Sequence, residues 1–520
     1  MTPPIADAAD RALISDALDT TLVVEAAAGT GKTTELVKRI VRLVETGRAT
    51  IDQIVAVTFS EKAAGELKLR LREQLEHARA AATGEAATTL ERAVQRFEEA
   101  HVSTIHGFCA DLLRERPVEA RIDPSFAVLT EGQASRLFDE AFADWLQREL
   151  DAPCEGVRRS LRRVTVRRFG QDEDDDAPIE RLKRAGRELL EWRDHPTPWT
   201  RPEGFARDRD IDHLLDGMAT LCEATRQPSS PRDPLARAIE RIRRVWADIE
   251  PLRRRAQADY DGWEGALCAL AAEERDLRAG RRASGQFSKQ LSNAEVIAAR
   301  DSLVDALVAF RNAADADLAA QVHEALGAAV GLYDDRKRRA GAVDFLDLLI
   351  EARNLVRDDA EVRRGFQRRF RNLLVDEFQD TDPLQAELLL LLASTDDAND
   401  DTAPVDRPVR PGALFIVGDP KQSIYRFRRA DVGVYRAICE RLIAEGARRV
   451  RLRTSFRSVP AIQRAVNTAF NTHMTGDRPS LQADYVELQP ARADVPEQPA
   501  VIALPVPRPL SDRGNVTQGA

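Results

Sequence analysis

Two stretches of the chain share one pattern of apolar and polar positions, and the stretch between them follows another. From Thr21 to about Pro117, and again from about Gly341 to Glu445, short runs rich in β-branched residues alternate with amphipathic segments. Leu22-Val23-Val24, Ile54-Val55-Ala56-Val57, Leu373-Leu374-Val375 and Leu414-Phe415-Ile416-Val417 are such runs, and each leads into a polar loop. Continuous apolar runs of this length fit strands buried on both faces of a parallel sheet, with helices as crossovers. The fold class expected is therefore α/β, with a doubly wound parallel sheet.

Between about Arg121 and Arg339 the chain is rich in Arg, Ala, Leu and Glu and has few strand-like runs. That pattern predicts a large, mostly helical insertion. Its acidic tract, Asp172-Glu173-Asp174-Asp175-Asp176, and its proline-rich breaks at Pro196–Pro202 and Pro228–Pro234 read as solvated faces and loops, not as sites. After Glu445 a new unit is expected, with a strand at Arg451-Leu452-Arg453, a helix from Pro460 to Phe470 and a strand at Val501-Ile502-Ala503-Leu504. The expected organisation is one lobe in two parts (residues 1–120 and 340–446), an insertion (121–339) and the start of a second lobe (447–520).

Composition narrows the class. Hydrophobic residues make up 43% and charged residues 31%, as in a folded globular chain. Lys and Arg number 77 against 86 Asp and Glu, a formal net charge of −9, which argues against a histone-like basic binder but leaves room for a local basic groove. No basic segment followed by an apolar stretch opens the chain, so a signal peptide is not expected. The longest apolar run, Leu388 to Ala393, falls far short of the roughly 20 residues that span a bilayer. Five widely spaced cysteines show no metal-site or C-x-x-C spacing, so reduced thiols and a cytoplasmic location are expected.

Three motifs carry chemistry. Ala26-Ala27-Ala28-Gly29-Thr30-Gly31-Lys32-Thr33, continuing to Thr34, lies between an expected strand and an expected helix and reads as a phosphate-binding loop. Gly29 and Gly31 would let backbone N–H groups face phosphates at a helix N-terminus, Lys32 would reach the β- and γ-phosphates, and the Thr33 hydroxyl would ligate Mg²⁺. The alternative is a plain glycine-containing turn. Leu373-Leu374-Val375-Asp376-Glu377 is a buried strand that releases two carboxylates at its C-terminal end, where open parallel sheets bind ligands. Asp376 would hold the metal ion and Glu377 would polarise an attacking water. In Val417-Gly418-Asp419-Pro420-Lys421-Gln422-Ser423-Ile424-Tyr425-Arg426-Phe427-Arg428, Gln422 could sense a γ-phosphate, and aromatic rings interleave with cations as single-stranded nucleic acid requires. The competing reading is that Tyr425 and Phe427 are core rings.

Together these motifs resemble the UvrD/Rep-like branch of superfamily 1 DNA helicases, most closely its RecB/AddA-like members. Four further segments extend the resemblance: Thr58-Phe59-Ser60-Glu61-Lys62-Ala63-Ala64-Gly65-Glu66-Leu67, Ser103-Thr104-Ile105-His106-Gly107-Phe108, Asp344-Phe345-Leu346-Asp347-Leu348-Leu349 and Thr454-Ser455-Phe456-Arg457-Ser458. It implies a RecA-like P-loop fold with a 1B-like insertion, and ATP and Mg²⁺ as ligands. The ATPase centre would contain Lys32, Thr33, Asp376, Glu377, Gln422 and, from a second lobe, Arg457. A single-strand path would be lined by Thr58, Phe59, His106, Tyr425 and Phe427; without the resemblance, His106 would read as a core histidine. Gln379, Asp380 and Gln385 would couple nucleotide state to DNA. The implied activity is ATP-dependent 3′-to-5′ translocation and unwinding in recombination or repair. Its partners would be single-stranded DNA, single-/double-strand junctions and a second nuclease or helicase subunit, with no membrane. Two departures stand out. The glutamine that the family places before the phosphate loop to read adenine aligns near Arg11, and no later second-lobe or nuclease motif follows. An incomplete motor is therefore expected, with a non-motor ATP- and DNA-binding module as the alternative.

Overall fold

The computed structural model describes residues 5–163, 177–195, 198–255, 257–395, 402–476, 482–494 and 499–502. The chain forms two compact units, one made of Met1–Phe126 with Phe345–Ala520, the other of Ala127–Asp344.

The first unit is built on six parallel strands: β1 (Leu22–Ala26), β2 (Ile54–Thr58), β3 (His101–Thr104), β4 (Asn372–Val375), β5 (Leu414–Gly418) and β6 (Arg448–Leu452), in the spatial order β3-β2-β4-β5-β1-β6. The four interior strands are the four apolar runs of the sequence, and almost every residue in them is buried. The two edge strands have no such run. β3 is largely half-buried, and β6 exposes Arg448 and Arg449. Charged edges of this kind protect a sheet from further pairing, and they also hide a strand from a search for apolar runs.

β6 departs from expectation. The strand expected at Arg451–Arg453 to open a second lobe is instead Arg448–Leu452, and it pairs in parallel with β1, from Leu22 against Arg448 to Ala26 against Leu452. Ion pairs from Arg449 and Arg451 to Glu25, at 3.2 and 2.9 Å, hold it there. The following segment therefore leaves from the same sheet edge as the loop after β1. The helix Pro460–Phe470 has the bounds the sequence suggests, with proline at its first turn. Val501 and Ile502 are not in a strand, and Ala503 and Leu504 lie outside the described residues, as does the acidic tract 172–176.

Helix Lys32–Glu45 packs Leu36, Ile40, Leu43 and Val44 into a core with Leu22, Val24 and Ala26 of β1 and Leu67 and Leu71 of helix Glu61–Ala81. Arg39 lies on that apolar face and is 1% exposed. Its guanidinium donates to the carbonyls of Ile14, Ala17, Leu18 and Thr20 and sits 5.0 Å from the Phe415 ring centroid. Burial lowers its pKa to about 10, with Asp19 opposing, so it remains charged and ties helix Ala8–Asp16 to the helix behind the loop. Helix Pro383–Ala393, which contains the longest apolar run, is buried nearly all round, as a core helix should be. Among the described residues no helix is long and apolar enough to cross a membrane. The five cysteines are unpaired, and only Cys154 is exposed.

The second unit is mostly helical and is organised on one 47-residue helix, Asn293–Arg339, about 70 Å long at 1.5 Å per residue. One end packs Val296, Val304, Leu307 and Phe310 against helices Arg207–Ala224, Pro234–Arg254 and Tyr260–Ala272. The other packs Leu326, Ala329 and Tyr333 against Phe138, Phe142 and Trp145 of helix Glu131–Asp151. The two cores are bridged by charge. Arg159 has a fully buried side chain and meets Asp317 at 2.6 Å, Glu264 at 2.9 Å and Glu155 at 3.1 Å, and Arg163, Arg201 and Arg207 complete the network.

Candidate active site

Because all six strands run parallel, the loops at their carboxyl ends meet along one edge of the sheet. Every candidate site residue lies on one of these loops or just beyond it. Ala26–Gly31 turns from β1 into the helix at Lys32, and Thr33 and Thr34 stand in its first turn. Gly29 and Gly31 adopt left-handed φ values of 78° and 87°, which residues with a side chain rarely adopt. Thr30 is wholly buried and its hydroxyl donates to the Ala27 carbonyl at 2.7 Å, bracing the turn. The first N–H groups of the helix have no intrahelical acceptor and carry its partial positive charge, so the loop suits an anion.

Lys32 and the carboxylates meet directly. The Lys32 ammonium donates to Glu377 at 2.7 Å, with 10% of the lysine side chain and 31% of the glutamate side chain exposed. Glu377 holds a left-handed φ of 54°, and it shares the oxygen bonded to Lys32 with the Gln379 amide, at 2.8 Å. Gln379 also accepts from the Asp419 N–H, and Asp419 accepts from Gln422 at 2.8 Å, so one hydrogen-bonded chain runs from the β1 loop to the segment after β5. Burial, then the nearby Glu377 charge, raises the pKa of Asp376 to about 6, with Lys32 opposing. Asp380 is raised to about 6 by the same two causes, in the same order.

The donor set fits a divalent cation. Asp376 is a carboxylate whose ionisation is penalised in this setting, and a cation would relieve that penalty. Among the described residues no cluster of three or more His, Cys, Asp or Glu forms a closed metal cage. Mg²⁺ does not require one, since one or two protein ligands plus phosphate oxygens and water suffice. Thr33 and Asp376 are the residues that would hold it.

The aromatic candidates fall into two groups. The Phe59 and Tyr425 rings lie 4.7 Å apart and Tyr425 and Phe427 lie 5.7 Å apart, forming a row in which Phe427 is 75% exposed. Neither Tyr425 nor Phe427 is fully buried. His106, in the first turn of helix Ile105–Glu115, lies edge-on to Phe345, their ring centroids 5.6 Å apart. Thr58 differs from the other four: it is 4% exposed, so its hydroxyl faces the interior and not the surface.

Arg457, expected from a second lobe, stands instead in the unit that carries the loop. The Phe456 N–H donates to the Gly29 carbonyl at 2.8 Å, and a Cβ added at Gly29 would sit 2.5 Å from the Cβ of Arg457. Asp7 and Arg11, which hold this segment, escape a reading of the sequence. The only hint there is an aspartate four residues before an arginine ahead of the loop.

A comparison with family models decides the affiliation: the model described as "UvrD/REP helicase N-terminal domain" matches residues 7–442. The chain belongs to the UvrD/REP helicase family. Three similar members of that family each carry the name of an ATP-dependent helicase/nuclease subunit. The one from Pediococcus pentosaceus is 26% identical over 502 residues, covering 89% of this chain and 38% of the relative. The one from Listeria welshimeri is 26% identical over 510 residues, 90% of this chain and 39% of the relative. The one from Desulforudis audaxviator is 30% identical over 508 residues, 87% of this chain and 39% of the relative. This helicase-family chain thus spans about two-fifths of the length of the curated relatives it matches.

Proposed function

We propose that this chain binds MgATP at the loop and carboxylates, binds single-stranded DNA along the aromatic row, and hydrolyses ATP to move 3′-to-5′ and unwind DNA at single-/double-strand junctions. On this reading the first unit is a RecA-like P-loop domain of a cytoplasmic recombination or repair enzyme, and a nuclease or helicase subunit is its partner. The observation that carries the reading is the Lys32–Glu377 contact on the same sheet edge as the Phe59–Tyr425–Phe427 row.

The residues act as follows. Lys32 exchanges Glu377 for the nucleotide's β- and γ-phosphates, and Glu377, so released, accepts the proton of the attacking water. Mg²⁺, held by Thr33 and Asp376, supplies charge neutralisation on the phosphates. Gln379 and Asp419 connect Glu377 to Gln422 and the aromatic segment, so occupancy at one end bears on geometry at the other. Arg457, fixed beside Gly29, is placed to meet the terminal phosphate.

The test is ATP hydrolysis with and without oligo-dT, alongside a Lys32→Ala control. Hydrolysis that rises with single strands and disappears with Lys32→Ala is the expected result. Binding of nucleotide and strand without hydrolysis would favour the non-motor module, and nucleotide affinity unchanged by Lys32→Ala would remove the site.

A further inference from the structure

The most densely bonded side chain near the loop is Arg11, a residue with no assigned part in the chemistry above. All three guanidinium nitrogens are engaged. Nε and one terminal nitrogen hold the two oxygens of Asp7 at 2.8 and 3.1 Å, and the other terminal nitrogen meets Glu35 at 3.0 Å. The terminal nitrogen bonded to Asp7 also donates to the carbonyls of Thr30, at 2.9 Å, and Thr454, at 3.5 Å. The guanidinium carbon lies 5.2 Å from the Phe456 ring centroid. Arg11 therefore touches the phosphate loop, the first turn of the helix behind it and the segment after β6.

Asp7 holds that segment from its other side. Its carboxylate accepts from the backbone N–H groups of Arg453 and Thr454, at 2.8 and 2.9 Å, and from the Thr454 hydroxyl at 2.9 Å. Its side chain is 2% exposed. Burial pushes its pKa up, but the hydrogen bonds from Arg11 and Thr454 outweigh that and hold it below the usual carboxylate value. A planar fork that binds a carboxylate with two parallel bonds fixes direction as well as distance, which lysine or glutamine at the same position cannot do.

We propose that Asp7 and Arg11 form a positioning pair that fixes residues 453–457 on the phosphate loop and thereby sets where Arg457 stands relative to a bound nucleotide. The geometry leaves Arg457 little latitude once the segment is held. Phe456 is hydrogen-bonded to Gly29, Arg11 lies over its ring, and Arg457 is packed against Gly29 where a methyl group would not fit. Arg11 does not touch the nucleotide in this scheme; it acts through the loop and through Arg457. Its donors are committed to protein acceptors, and a guanidinium has no acceptor with which to read a base. The pair's effect on hydrolysis rests on the nucleotide reading above, whereas its hold on the segment does not.

Two measurements on the full 520-residue chain test it. The first needs no nucleotide: amide hydrogen exchange across residues 453–456 in the parent, Arg11→Lys and Asp7→Asn, the second variant keeping the test alive should the first not fold. Exchange at least about tenfold faster in this segment, with the rest of the sheet protected as before, is expected when a local hold of this kind is lost. Unchanged exchange overturns the proposal. The second is a double-mutant cycle on ATP hydrolysis with Arg457→Ala. Arg11→Lys should lower kcat about tenfold or more, with KM moved by less than about threefold, and should change kcat by less than about threefold once Arg457 is already alanine. An equal fold loss in both backgrounds would mean that Arg11 is only a structural ion pair, and the proposal fails. If the parent chain does not hydrolyse ATP at all, the functional reading fails, and the exchange experiment alone still decides whether the pair holds the segment.

Discussion

Replacing Glu377 by glutamine should tighten the binding of MgATP while abolishing its hydrolysis, and the reason lies in the contact this carboxylate makes without nucleotide. Lys32 donates to Glu377 at 2.7 Å, so nucleotide phosphates must take the ammonium from a partner it already has. A hydrogen bond between charged groups contributes about 1.5–3 kcal/mol. With the Lys32 side chain 10% and the Glu377 side chain 31% exposed, solvent screening brings that to about 1–2 kcal/mol. Glutamine keeps an oxygen to accept from Lys32 but removes the charge, and it also removes a carboxylate that repels the incoming phosphates. The expected gain is about 5- to 30-fold in Kd. Equilibrium titration with a fluorescent ATP analogue and Mg²⁺, without DNA, measures the affinity, and single-turnover hydrolysis measures the chemistry. Equal or weaker binding by a folded Glu377→Gln chain would refute the idea that the carboxylate competes with nucleotide for Lys32.

Other outcomes follow from the same geometry. Phe427→Leu should weaken oligo-dT binding by about 5- to 150-fold, the loss of one stacked base, when measured by anisotropy at fixed salt. The ring is 75% exposed, so the melting temperature should hardly move, and a stability loss without an affinity loss would make the ring structural. Arg159→Leu should destabilise the second unit by about 3–5 kcal/mol, because Glu264 and Asp317 keep their charges in a buried site, and a denaturation midpoint equal to that of the parent would contradict this. Asp376→Asn should raise stability at pH 7.5 by at most about 3 kcal/mol while removing Mg²⁺-dependent nucleotide binding. The sign follows from a folded pKa of about 6 against the ordinary 3.8: ionisation of this carboxyl costs the folded state its full penalty above pH 6 and nothing below pH 3.8. The gain should therefore vanish in thermal melts near pH 4, and a gain independent of pH would assign it another cause.

Local signals determined much of this protein. The four interior strands were legible because a strand buried on both faces must be apolar throughout, and the turn after β1 was legible because only glycine readily adopts the left-handed backbone at positions 29 and 31. Lys32, Asp376 and Glu377 could be picked out for the same reason, since each lies just beyond such a strand or turn. Only the tertiary structure decided the rest. β6 carries too much charge to announce itself, and its place beside β1 depends on Glu25 meeting Arg449 and Arg451, more than 400 residues away along the chain. That pairing, and not any feature of the Thr454–Ser458 segment, brings Arg457 to Gly29. Asp7 with Arg11, Arg39 and Arg159 are equally silent in the sequence. A charged residue on an apolar or neutral stretch has no visible meaning until the fold supplies the carboxylates and carbonyls that make its burial tolerable, and those partners are set by strand order and helix packing, not by neighbours in the chain.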